Sequence, residues 1–326
     1  MEIAPGIHLL KVPLPVSHLE FLNCYLVAGK PGWLMVDTGW YTRESLQAME
    51  DGLHALGLDF TDIATIVVTH VHPDHFGLAG KIKQLSPRTR LVAHKWEWAL
   101  IESRYIKFAD LQHQMGILLK RHGVPESKLP AMEAASLPVI EFVSVTMPDD
   151  AVYGGETIQT GLYDLEVIWT PGHSSGHICL YEPRNRLLFS GDHILPQITP
   201  NVSYHVQSGD NPLGDFLYSL QKLQNLSVSQ ILPAHQEVFS NLPARINQIV
   251  QHHHRRKKEM LVLMQGLSRT AYELSCQVTW DIQDIGWEDF PPQLQRIAIT
   301  ETIAHLEYMR WEGKVKRSEH AGLLLY

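Results

Sequence analysis

The sequence predicts a protein of α/β class, with α and β layers around a sheet. Three observations predict it. Short β-branched runs alternate with helical segments along the first two thirds of the chain. Each run is bounded by Gly, Pro or Asp, which suits strands of a sheet better than helices. The chain is 326 residues long and 44% hydrophobic, enough to bury a sizeable core without staples.

The expected strands, in order, are 33–37 (WLMVD), 64–69 (ATIVVT), 90–93 (RLVA), 165–170 (LEVIWT), 178–181 (ICLY), 186–190 (RLLFS) and 230–233 (QILP). Helices are expected at 42–55, 78–84 and 213–226. The stretch 96–137 has helical spacing and no clear strand, and reads as a helical insertion. Its aromatic residues, Trp96, Trp98, Tyr105 and Phe108, pack helices in one reading and line a substrate pocket in the other. A boundary is expected near residue 245, dividing 1–245 from 246–326. Beyond it the segment 252–260 (HHHRRKKEM) reads as a charged helical face. Helices follow near 270–277 and 291–312, and the last residues read as strand, turn, strand. This order suggests a small C-terminal winged-helix-like domain.

Composition excludes several classes. Three widely spaced cysteines, Cys24, Cys179 and Cys276, supply no C-x-x-C pair and fit a reducing, cytoplasmic location. The first residues lack the basic and apolar regions of a signal peptide. No apolar run reaches the roughly 18–20 residues that span a bilayer, so no membrane partner is expected. The formal charge of −8 argues against general nucleic-acid binding.

The segment TIVVTHVHPDHFG carries the chemistry. An apolar run ends at Thr69, and His70 and His72 then alternate, so an extended chain points them the same way. Asp74 and His75 follow at once. Three imidazoles and a carboxylate are nitrogen and oxygen ligands suited to zinc or a similar divalent ion. Three further candidates sit just past expected strands: His173, Asp192 and His235. If those strands share a sheet, their carboxyl ends gather these side chains at one edge, the usual place for chemistry. An aspartate can bridge two cations with its two oxygens. The remaining histidines, His8, His18, His54, His94, His113, His122 and His305 among them, carry no motif and read as ordinary residues. His252, His253 and His254 lie about 100° apart on a helix and cannot share one ion.

The order Asp37, H-x-H-x-D-H, His173, Asp192 and His235, over residues 7–240, resembles the metallo-β-lactamase fold superfamily. The PGHSSGH and GDHIL segments look most like its glyoxalase II-like branch. The resemblance implies an α+β fold, a four-layer αββα sandwich with the metals at one edge. It implies that His70, His72 and His173 hold one metal, that Asp74, His75 and His235 hold a second, and that Asp192 bridges. Asp37, in the Asp-Thr-Gly turn, would orient ligands; its alternative role is to cap the following helix. Asp74 would also accept a proton from the attacking water. Tyr204, in the loop after Asp192, is a candidate for orienting substrate, as in lactonase relatives. His177 and His193 adjoin the site but are surplus to the seven. The C-terminal module is similar to that of lactamase-like endoribonucleases and of bacterial hydrolases called glyoxalase-like.

Two divalent cations roughly 3.5–4 Å apart lower the pKa of a bridging water toward neutrality, and the hydroxide is the nucleophile. Zinc is the first expectation, with manganese and iron as alternatives. The expected activity is hydrolysis of an ester, thioester or lactone of a small molecule by a homodimer. One alternative is a metal-dependent endoribonuclease or phosphodiesterase on single-stranded RNA. Residues 1–249, with 17 basic and 25 acidic residues, disfavour it, as does the zero net charge of 250–326. Another is a catalytically silent binding or regulatory relative, and a third is redox chemistry on iron. A serine hydrolase using Ser174 in GHSSG would need a strand, an elbow and then a helix; HICLY reads as a strand instead.

Overall fold

Alternation along the strands sorts the apolar side chains into separate cores. In the strand Phe21–Val27, Leu22, Cys24 and Leu26 face one core while Tyr25 and Val27 face another. In Ile178–Glu182, Ile178 and Leu180 join that second core while Cys179 and Tyr181 join a third. The shared core therefore lies between two sheets, and each sheet turns its other face to helices. These relations come from a computed structural model that describes residues 1–14, 19–135, 140–280 and 285–326.

The first sheet runs in sequence order: β1 (Glu2–Ala4), β2 (Ile7–Pro13), β3 (Phe21–Val27), β4 (Trp33–Val36), β5 (Ile63–Val67), β6 (Arg90–His94) and β7 (Asp150–Val152). Pairing is antiparallel from β1 to β4 and parallel from β4 to β7. Its outer face carries α1 (Arg43–His54) and α3 (Ala79–Leu85), with Met49, Leu53 and Ile82 in the core beneath. The second sheet joins β8 (Thr157–Gln159), β9 (Asp164–Trp169), β10 (Ile178–Glu182), β11 (Leu187–Gly191) and β12 (Gln230–Pro233). Its outer face carries α7 (Pro212–Leu223) and the start of α8 (Leu242–Leu263), through Phe216, Leu220, Ile246 and Ile249. The layers are αββα, as the resemblance implied. The strands β1 to β3, together with β7 and β8, are not among the expected elements.

The expected insertion contains α4 (Lys95–Ile101), a π-helical turn at Glu102–Ile106, α5 (Phe108–Arg121) and α6 (Leu129–Ala134). Residues 136 and 137 of it, and His18, lie outside the described residues. Trp98 and Tyr105 pack on the core of the first sheet, whereas Trp96 is 59% exposed. Met115 and Leu119 pack instead with the C-terminal elements. Helix packing thus accounts for most of this apolar set.

After α8 come α9 (Ala271–Ser275), α10 (Pro292–Trp311) and the hairpin β13 (Ser318–His320) and β14 (Leu323–Leu325). The expected boundary at 245/246 falls inside α8. One detail of the C-terminal reading is corrected. The segment 252–260 is no fully solvated face, because His253, Arg256, Lys257 and Met260 are buried. Arg256 lies over Trp280, and Lys257 binds Glu312 at 3.0 Å. α10 buries Ile299, Ile303, Leu306 and Met309. Its Glu307 is also buried, held by Arg310, Arg317 and the Tyr326 hydroxyl at 2.6 Å each. Among the described residues, no helix is long and apolar enough to cross a membrane.

Candidate metal centre

Every candidate ligand follows the carboxyl end of a strand. Past β5 the chain bends at Thr69 and then delivers His70, and Pro73 starts α2 (Pro73–Phe76) with His72 as its N-cap. Proline suits that first helical position because its missing N–H would have no helical partner. Past β9, Gly172 adopts φ +139° and presses on α7; a Cβ there would lie 2.3 Å from that of Phe216. This close approach turns the chain so that His173 enters the site. At the end of β11, Gly191 has φ +51°, and a Cβ would lie 2.6 Å from His177 Nε2. Asp192 comes next. His235 follows β12 after Ala234.

These elements bring seven side chains together. Donor atoms of His70, His72 and His173 lie within 4.8 Å of one another, as do those of Asp74, His75 and His235. His70 Nε2 is 2.8 Å from His72 Nδ1, which is 3.1 Å from His173 Nε2. Asp192 joins the two groups: its oxygens lie 3.5 Å from Nε2 of His75, His173 and His235.

The opposite ring nitrogens are tied down elsewhere. His173 Nδ1 donates to Asn201 O at 2.7 Å, and His235 Nδ1 to Phe21 O at 3.1 Å. His75 Nδ1 meets Asp37 Oδ2 at 2.8 Å. Such outer bonds fix the tautomer and present Nε2 inward, as for metal-ligating histidines. Inward, His75 Nε2, His235 Nε2 and Asp192 Oδ1 are buried and make no hydrogen bond, although His235 Nε2 is 3.2 Å from Asp74 Oδ2. Buried polar atoms are seldom left this way, and a bound cation would satisfy all three. The donor set fits divalent metal.

Charge follows the same division. Burial, and then neighbouring imidazoles, hold His70 and His72 well below the usual histidine range. Burial also lowers His173, with Asp192 opposing it. Burial opposes charge on His75 and His235, yet the surrounding carboxylates raise both. Burial likewise opposes ionisation of Asp192, and His235 and His75 outweigh it, holding the carboxyl well below its ordinary value.

Asp37 occupies the left-handed region at φ 59°. Its Oδ1 accepts from Thr69 N at 2.7 Å and its Oδ2 from Thr69 Oγ1 at 2.9 Å, as well as facing His75. It orients the strand end and one imidazole, and the cap of α1 is Thr42. His177 is part of the frame: Nδ1 pairs with Thr170 Oγ1 at 2.8 Å and Nε2 accepts from Asp192 N at 3.1 Å. His193 packs its ring on Phe216, and burial lowers its pKa to about 3. Tyr204, the candidate for orienting substrate, is partly buried on the loop after Asp192. Its ring packs in the apolar clusters beside α10, and its backbone N–H binds Thr300 O at 2.9 Å. Burial, and then the charge of Glu307, raise its hydroxyl above the ordinary tyrosine value.

Sequence reasoning misses two positioning residues. Glu97, in the first turn of α4, is fully buried. Its Oε2 accepts from Val71 N at 2.8 Å, and its Oε1 from Ser174 Oγ at 2.6 Å and Gly176 N at 2.7 Å. One carboxylate thus clamps the His70–His72 turn to the His173 turn. Tyr105 donates its hydroxyl to Val71 O at 2.6 Å, from the other side of the same turn. Ser174, by contrast, is buried with its hydroxyl committed to Glu97, and the next element is strand β10, so the serine-hydrolase reading fails.

An αββα sandwich carrying this cluster at its sheet edge defines a metal-dependent hydrolase. The family model described as the metallo-beta-lactamase superfamily matches residues 19–235, and the chain belongs to that superfamily. Over its whole length the chain is similar to the metallo-beta-lactamase family protein TTHA1429 of Thermus thermophilus, with 32% identity, 99% of that chain covered and a TM-score of 0.84. A beta-lactamase domain protein from Burkholderia ambifaria is similar over 100% of this chain and 93% of its own, with 26% identity and a TM-score of 0.79. Probable metallo-hydrolase YqjP of Bacillus subtilis (strain 168) is 25% identical over 93% of this chain and 94% of its own.

Proposed function

We propose that the protein holds two divalent metal ions, zinc first among the choices, and hydrolyses an ester, thioester or lactone of a small molecule in the manner of glyoxalase II-like enzymes. The observation that carries this reading is Asp192, within 3.5 Å of imidazole nitrogens from both groups of three. His70, His72 and His173 would hold one ion, and Asp74, His75 and His235 the other. Such ions supply an acidified water and a Lewis acid toward a carbonyl oxygen.

The chain's own residues set the rest. His75 and His235 form the closed floor, with side chains 0% and 1% exposed. Asp74 and Asp192 are 18% and 10% exposed, which makes theirs the side open to substrate. Asp74 Oδ2 faces His235 and is the carboxylate best placed to take a proton from an attacking water. Asp37, Glu97 and Tyr105 hold the turn that carries His70, His72 and Asp74.

A panel of thioesters, lactones, phosphodiesters and β-lactams on the metal-loaded protein tests the reading. Turnover is expected among the first two classes. Asp74→Asn, which keeps the side chain's shape, is expected to lower kcat by about 100-fold or more. Unchanged hydrolysis by Asp74→Asn would remove its assigned role, and full activity after metal is stripped would remove the reading as a whole.

A further inference from the structure

Two arginines from distant parts of the chain stand on elements bonded to the loop that follows Asp192. Arg104 belongs to the π-helical turn Glu102–Ile106, and Arg296 to α10. The loop begins at Asn201, whose carbonyl accepts from His173. It is fastened to α10 by Tyr204 N to Thr300 O at 2.9 Å and by Thr300 Oγ1 to Ser203 Oγ at 3.0 Å. Arg296 stands one helical turn before Thr300, on the same face. At its far end the loop is fastened by Gln207, which accepts from Arg104 Nε at 3.4 Å, and whose carbonyl accepts from Ser175 Oγ at 3.2 Å. His205 lies on this loop between the two attachments.

Neither arginine has an anionic partner. Arg104 binds the Gln207 amide oxygen, and Arg296 binds Met132 O at 3.2 Å. Among the described residues neither makes an ion pair. Both are partly buried. Burial presses Arg296 down to about 10, with no carboxylate opposing it. After burial, the charges of Arg104 and Arg296 are the main causes that bring His205 down to about 3. Two cations on separate elements thus border one loop, to which those elements are bonded through Gln207 and Thr300, and the same loop is bonded to the His173 ring through Asn201 O. Cations removed from water without a counter-charge are costly to keep, and an anion arriving from outside would offset that cost. The guanidinium fork matches a carboxylate or a phosphate.

We propose that Arg104 and Arg296 form an anion-recognition subsite beside the candidate metal centre, so that the substrate is a small ester or thioester bearing a carboxylate or phosphate away from its scissile bond. The proposal rests on the hydrolase reading for its substrate, and on the arginines alone for its binding. A prediction follows for calorimetric titration of the metal-loaded full-length protein with glutarate, glycerol phosphate and neutral glutaramide. One of the two anions is expected to bind at least about 10-fold more tightly than glutaramide, and which one does so separates carboxylate from phosphate. Arg296→Met and Arg104→Met are each expected to lose about 10-fold of that affinity while keeping the metal content and melting temperature of the unaltered protein. Because the two residues sit on different elements, misfolding of one variant leaves the other to decide. Anion binding that survives both substitutions would place the anion on the metals and overturn the proposal, as would equal binding of glutaramide. Failure of the unaltered protein to retain metal would count against the hydrolase reading instead, and arginine-dependent anion binding would still stand on its own.

Discussion

Replacing Asp192 with alanine is expected to leave the protein with at most one tightly held metal ion per chain and to lower turnover by more than about 100-fold, the upper range for loss of an outer partner of a ligand. The reason is positional. Among the described residues, its two oxygens are the only carboxylate atoms within 3.5 Å of histidines from both groups, so removing them separates the halves. Alanine also leaves His75 and His235 Nε2, already without hydrogen bonds, facing each other across an emptied space. Metal analysis after exhaustive dialysis, run beside a turnover assay, checks both parts. Two retained ions with undiminished turnover would show that Asp192 does not link the halves.

A second large effect is expected at Glu97, a residue outside the seven candidate ligands. Glu97→Ala strands three buried donors, Val71 N, Gly176 N and Ser174 Oγ, now held at 2.6–2.8 Å. An unsatisfied buried group costs about 1–3 kcal/mol, so the loss is expected to reach about 3 kcal/mol or more. That corresponds to a fall in Tm of roughly 4 °C or more for a chain of this size. Because the same carboxylate joins the His70 and His173 turns, metal affinity is expected to fall by about 10-fold or more as well. Thermal melts with and without a chelator read the two effects separately. A Tm within about 1 °C of the unaltered protein, with unchanged metal affinity, would show that the clamp has no energetic role.

The contrast between Asp192 and Glu97 shows what the sequence makes legible. His70, His72, Asp74 and His75 are visible because four ligands fall within six residues at the end of one apolar run. Asp192 and His235 are visible because each ends a short buried strand. Glu97 is not visible: a glutamate in a first helical turn reads as an ordinary partner of the helix dipole. Its importance comes from Ser174 and Gly176, 77 and 79 residues away. Strands β2 and β3 escape notice because Lys11, Pro13 and Asn23 break the apolar pattern. Asn23 is buried nonetheless, its amide bound to Pro233 O at 2.9 Å and Gln236 O at 2.7 Å across the two sheets. The run 252–260 reads as a solvated face because its histidines and arginines are polar. Its buried side depends on His305 of α10, 3.1 Å from His253 yet 52 residues away. The Tyr204 loop lies against Thr300, a contact that no local pattern announces.

Helix α8 begins on the second sheet, where Leu242, Ile246 and Ile249 are buried, and ends among the C-terminal helices, where Met260 is buried with Leu274 and Ile303. A rigid rod seated in both cores leaves no joint about which the C-terminal layer could swing. Domain division normally falls in an exposed linker crossed by few contacts. Here the crossing point is an uninterrupted helix. Calorimetry of the full chain is therefore expected to show one transition for the sandwich and its C-terminal layer, and two resolved transitions would show that they lose order separately.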